Sequence, residues 1–217
     1  VIGLLLWIWL WLSNLLAFGT IIFAAGLTCI PIAITGGIHL DGFCDTVDAL
    51  ASHAELERKR EILKDPHTGA FAVIFVCVYL LAYFALCTEA PREVETVWVL
   101  GMIHIMIRST VGFGVLYYPP INCQGLFYTI GSSCRRKSSA IVLCVIFALC
   151  AALLTLIGGL IMGIVITMVI IICTTYIYFM AKNQFGGMNG DISGYWLQIA
   201  EITALAAFII VRKAEGI

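Results

Sequence analysis

The chain has 217 residues, 62% of them hydrophobic and 12% charged, with a formal net charge of −1 and a mean hydropathy of +1.05. Ordinary soluble domains carry roughly 25% charged residues, so these values exclude a water-soluble globular chain. The near-neutral balance, with basic residues scattered between apolar runs, offers no electrostatic footing for nucleic acid.

In chain order the apolar runs are Ile2–Phe18, Ile21–Ile38, Phe71–Ala90, Val97–Tyr118, Ser139–Leu156, Gly159–Ala181 and Trp196–Val211. Several approach or exceed the roughly 20 residues that cross a bilayer as helix. The expected fold is therefore all-α, a polytopic transmembrane helical bundle of about seven spans, read as a single integral-membrane catalytic domain over residues 1–217. The first two runs are short and separated only by Gly19-Thr20, which predicts a tight hairpin or a partly re-entrant pair. Val1 already lies inside an apolar run, so a short N-terminal segment is expected to be missing. The nine cysteines, Cys123 among them, show no CxxC pair and read as small hydrophobes.

Basic residues set the orientation. The loops His39–Ala70, Pro119–Ser138 and Lys182–Tyr195 hold eight of the 12 Lys and Arg; Arg92, Arg212 and Lys213 fall on the other side, and Arg108 lies within a span. The positive-inside rule places the eight in the cytoplasm, so the three polar loops are free to build one cytoplasm-facing site.

Four polar clusters stand out. In the first, Asp41, Asp45 and Asp48 are spaced i, i+4, i+7 after His39 and fall on one helical face. Stacked like charges repel, more so near a membrane. A divalent cation would remove that cost, and oxygen-only donors suit Mg²⁺ or Mn²⁺. A solvated acidic face of an amphipathic helix is the plainer alternative. In the second cluster, Lys64 and Asp65 end a charged helix that starts near Glu55, before a Pro66–Gly69 turn. A lysine and a carboxylate at such a turn suit a phosphate ligand.

The third cluster is Arg108 with His104 one turn earlier. A guanidinium inside an apolar span must find an anion, here either an Asp of the first cluster or a substrate phosphate, for which its fork is suited. The fourth runs Gly186-Gly-Met-Asn-Gly-Asp-Ile-Ser-Gly, to Gly194. If Asp191 opens the last helix, Gly187, Asp191, Gly194, Gln198 and Glu201 share one face. Close helix packing explains the glycines; it does not explain the acids. Together the clusters point to metal-dependent phosphoryl transfer on a phosphate-bearing substrate.

The string Gly-Gly-Ile-His-Leu-Asp-Gly-Phe-Cys-Asp-Thr-Val-Asp, residues 36–48, resembles the signature of the cobalamin synthase family, the adenosylcobinamide-GDP ribazoletransferases. Residues 62–71, Ile107-Arg-Ser and residues 186–194 resemble its further motifs in order and spacing. The sequence departs at Ala49 (usually Gly), Pro66-His67 (Ser-Arg expected) and Asn189 (usually Thr).

The resemblance implies joining of GDP-activated adenosylcobinamide to α-ribazole or α-ribazole 5′-phosphate, with release of GMP and with Mg²⁺ as cofactor. It places the enzyme in the prokaryotic cell membrane, with those substrates and the lipid bilayer as partners and a homo-oligomer left open. Under it Asp41, Asp45, Asp48 and Asp191 are the expected metal ligands. Asp41, Asp48, Lys64 and Arg108 are the expected catalytic groups, and His39, Asp65, Gly187 and Asp191 the expected binding groups. A CDP-alcohol phosphotransferase fits less well, because Phe43-Cys44 follows Asp41-Gly42 where that pattern has Ala-Arg. A transporter fits less well because the polar motifs gather in loops on one side, whereas transport sites lie near the midplane.

Overall fold

The computed structural model describes residues 1–122 and 126–216, with the side chain of Leu126 and the whole of Cys123 outside the described set. Among the described residues ten helices follow one another: α1 (Ile2–Leu15), α2 (Thr20–Ile34), α3 (Ile38–Ala51), α4 (Leu56–Ile62), α5 (Ala70–Thr88), α6 (Val94–Tyr117), α7 (Leu126–Ser133), α8 (Arg136–Gly158), α9 (Leu160–Phe185) and α10 (Gly190–Glu215). Among the described residues no strand forms, and the only pairing of that kind is an isolated bridge between Pro120 and Met188. The chain is an all-α integral membrane protein.

All seven apolar runs are helical, but they are not all of spanning length. Among the described residues five helices are long and apolar enough to cross a membrane, namely α5, α6, α8, α9 and α10. A sixth span results if α2 and α3 count as one, bent by 88°. The 14 residues of α1 extend about 21 Å at 1.5 Å per residue, short of the ~30 Å hydrocarbon core. The predicted run to Ile38 also stops early. Helix α2 ends at Ile34, and Gly36 and Gly37 both turn left-handed, at φ of 63° and 77°. Glycine takes that region without a Cβ penalty, so the chain swings sideways into α3.

Burial separates the helices into a centre and a rim. In α6 and α10, 67% of the apolar window is buried; in α5, α8 and α9 only 17–28% is. The outer helices therefore present Leu, Ile and Val to lipid, while α6 and α10 form the core with Trp196, Met106 and Ile107 fully enclosed. The final helix begins at Gly190, six residues before the predicted Trp196, because Asn189 caps it: its side-chain oxygen accepts the Ile192 amide at 2.9 Å.

The three basic loops meet at one end of the bundle. Lys59 of α4 donates to Gln184, and Arg60 Nε donates to the Phe185 carbonyl at 2.7 Å, both at the C-terminus of α9. The Ile121 amide donates to Met188 and the Met188 amide to Pro119, tying the loop after α6 to the segment before α10. At the opposite end Arg92 donates to the Phe18 carbonyl, Arg212 pairs with Glu93, and Lys213 pairs with Glu89.

Candidate active site

Helix α3 lies across the loop end of the bundle, antiparallel to the start of α10. Two glycines set how closely they approach. A Cβ at Gly42 would stand 2.7 Å from the Asp191 carbonyl oxygen and 2.8 Å from its Cα. A Cβ at Gly194 would stand 2.7 Å from the His39 carbonyl oxygen. Backbones at that distance leave room for hydrogen only, so both motifs need glycine there. The consequence is electrostatic: Asp45 comes within Coulombic reach of Asp41, Asp48 and Asp191.

The four carboxylates are not equivalent. Asp41 is exposed and lines an open groove of about 480 Å³ with Gly36, Gly37, Leu40 and Cys44. Asp45 is half-buried between the others. Asp191 is half-buried and accepts a hydrogen bond from Asn189 Nδ2 at 2.7 Å, so the residue that caps α10 also orients its first acid. Asp48 has a structural partner the sequence did not suggest. Its Oδ2 accepts the Gly69 amide at 2.6 Å and its Oδ1 the Ala72 amide at 2.9 Å, so it caps the N-terminus of α5. A carboxylate there satisfies orphan amides and complements the helix dipole.

Among the described residues no three His, Cys, Asp or Glu side chains converge as a ready metal cage, and no ion pair involves any of the four acids. Asp48 has both oxygens engaged by α5 amides, whereas Asp41, Asp45 and Asp191, none of them ion-paired, have the donor chemistry of a hard divalent cation. They fit that group by charge and ligand type.

The remaining predicted site residues divide. Lys64 is exposed at the end of α4, on the loop side of the bundle. Asp65 is exposed on the turn that follows; its Oδ1 accepts the His67 amide at 2.9 Å and lies 2.7 Å from His67 Nδ1. These bonds, the backbone one foremost, hold the Asp65 carboxyl below the usual carboxylate range. Gly187 is packed against the chain after α6, where a Cβ would stand 2.6 Å from the Pro119 carbonyl oxygen.

Arg108 is not brought into the acid group, and its anion is not an Asp of the first cluster. Its Nη1 donates to Glu201 Oε1 of α10 at 2.9 Å, and His104 Nδ1 lies 3.0 Å from the same oxygen. Ten residues of α10 separate Glu201 from Asp191, about 15 Å of helix. His39 faces this pair, sharing a small cavity with Arg108 and Glu201. Sequence reading placed Glu201 on the right face without naming its partner. The available signal was that Arg108 and Glu201 each lie well inside an apolar run, where opposite charges pair.

Comparison with known proteins adds a family. The family model for cobalamin-5-phosphate synthase matches residues 1–209. The chain is similar to the adenosylcobinamide-GDP ribazoletransferase of Lachnoclostridium phytofermentans, 34% identical over 221 residues that cover 100% of this chain and 81% of that protein. It is similar to the protein of the same name from Clostridium botulinum, strain Alaska E43, 31% identical over 89% of this chain and 76% of the relative. A third, from Listeria welshimeri, is 31% identical over 97% and 84% of the two chains. No solved structure matches.

Proposed function

The chain belongs to the cobalamin-5-phosphate synthase family, and from that membership we propose that it is an adenosylcobinamide-GDP ribazoletransferase whose reaction centre is the acid group shared by α3 and α10. The ribose hydroxyl of α-ribazole, or of its 5′-phosphate, attacks the corrinoid-linked phosphorus of adenosylcobinamide-GDP. The bond from that phosphorus to GMP breaks, the hydroxyl proton leaves to a base, and GMP departs. The observation that carries this reading is the backbone contact of Gly42 with Asp191, which joins two acidic motifs distant in sequence into one centre.

Asp41, Asp45 and Asp191 would hold Mg²⁺. Bound there, the cation would offset the negative charge of the pyrophosphate. Of the two acids considered as base, Asp41 is the better placed. It is exposed and borders an open groove, whereas both oxygens of Asp48 already accept amides of α5. Lys64, exposed on the same end of the bundle, is proposed to pair with phosphate of the departing nucleotide. Arg108, with its charge met by Glu201, is assigned no contact with the reacting phosphorus. The excess of Lys and Arg at this end favours a cytoplasm-facing centre.

The test is GMP release by purified protein given adenosylcobinamide-GDP, α-ribazole 5′-phosphate, or both. Release only with both substrates supports the proposal, and equal release from the nucleotide-linked corrinoid alone contradicts it.

A further inference from the structure

Among the described residues the most enclosed charge is not in the acid group. Glu201 is 4% exposed, in the middle of α10, and His104 beside it is also 4% exposed. One carboxylate oxygen receives Arg108 at 2.9 Å and meets His104 at 3.0 Å. Arg108 donates in addition to the His104 carbonyl at 3.2 Å, so one turn of α6 is locked onto one side chain of α10.

This lock reaches α3. His39, the second residue of that helix, lies within Coulombic reach of both Arg108 and Glu201. Together with Tyr79, Tyr83 and Gln198 these residues enclose a cavity of about 10 Å³, room for a single water. The His39 backbone is also the surface on which Gly194 rests. Helix α10 therefore meets α3 at two levels. Glycine contacts bring Asp191 to Asp45 at one level; about 15 Å deeper, polar groups from α3, α5, α6 and α10 meet around Glu201. The upper level alone has no directional side-chain bond between the two helices among the described residues. Backbone apposition fixes their separation, and against sliding along the groove this level offers the stacked rings of Phe43 and Tyr195, 5.7 Å between centroids.

We propose that Glu201 is a positioning residue for the transfer reaction: by holding Arg108 and His104, and through them facing His39, it fixes the register of α3 against α10 and so the alignment of Asp41 and Asp45 with Asp191. Arg108 serves that register and does not bind substrate. This proposal rests on the reading of the acid group as the reaction centre.

The test pairs Glu201→Gln and the conservative Glu201→Asp with wild type in lipid nanodiscs, read by amide hydrogen exchange and by GMP release. In Glu201→Gln the expected result is exchange at least tenfold faster over residues 38–46 and 190–195, with α5 and α8 unchanged. The kcat for GMP release falls at least tenfold, while KM for each substrate stays within about threefold. Glu201→Asp recovers part of both. Arg108→Gln added to Glu201→Gln causes little further loss, because both act on the same lock. Unchanged exchange over α3 in Glu201→Gln overturns the proposal. So does a selective rise in KM for one substrate, which would make Arg108 and Glu201 a binding pair. Wild type that releases no GMP, while Glu201→Gln still loosens α3, removes the assigned reaction and leaves the structural lock standing.

Discussion

Gly42 of α3 and Asp191 of α10 meet backbone to backbone, with only 2.7 Å between a hypothetical Cβ at position 42 and the Asp191 carbonyl oxygen. A methyl group there has no flexible neighbour to displace, so the two helices must part. Gly42→Ala and Gly194→Ala are each expected to lower turnover at least 100-fold and to reduce thermal stability in detergent. Gly190→Ala is the control. A Cβ at that position meets nothing within 4 Å, so its melting temperature should match wild type. Side-by-side melting curves and initial rates check all three.

Asp41 and Asp48 should separate by phenotype. Asp41 is exposed, so Asp41→Asn should leave the melting temperature unchanged while GMP release falls at least 100-fold. Asp48 caps α5 through two amides. Asp48→Ala should cost about 1–2 kcal/mol of stability, as expected for a lost N-cap. Asp48→Asn, which keeps one acceptor oxygen, should lose less. Equal melting temperatures for Asp48→Ala and wild type would contradict the capping role.

Asn189 does two jobs, capping α10 and donating to Asp191. Asn189→Asp preserves the cap and removes the donor, while adding a fifth acid beside the other four. Its stability should stay within about 1 kcal/mol of wild type. Its Mg²⁺ half-saturation should shift, because Asp191 loses its hydrogen bond. Asn189→Ala should lose both the cap and the orientation.

The short helix α4 is tied to α9 by Lys59 and Arg60. Arg60 donates to the last carbonyl of α9, where a cation also complements the helix dipole. Arg60→Ala should therefore free the 55–65 segment, seen as at least fivefold faster trypsin cleavage after Lys64, with a melting temperature lowered by a few degrees. A cleavage rate equal to wild type would show that the tie does not hold α4 in place.

Much of this architecture is written in local pattern. The spacing of Asp41, Asp45 and Asp48 already implies one helical face, and α3 carries them in that order. The face running from Asp191 through Gly194 to Glu201 was also legible, because glycine and acid recur there at helical intervals; Gly187, expected on that face, instead precedes α10 and packs on Pro119. The distribution of Lys and Arg anticipated which loops share an end, and the contacts of Arg60 with Phe185 and of Met188 with Pro119 agree. What escaped depends on tertiary choices. Gly36-Gly37 sits inside an apolar run, and only its two left-handed residues reveal the 88° bend. The amides that Asp48 caps are 21 and 24 residues away, beyond any local rule. Arg108 had several acids it could have met, and helix packing decided for Glu201, 93 residues on.

The most direct measurement is the Mg²⁺ dependence of GMP release for wild type and Asp191→Asn side by side, with both substrates present. If α3 and α10 share one metal-dependent centre, EDTA silences the wild type and Asp191→Asn needs at least tenfold more Mg²⁺ for half-maximal rate. Release that persists in EDTA, or an Asp191→Asn curve superimposed on wild type, would contradict a centre built from both helices.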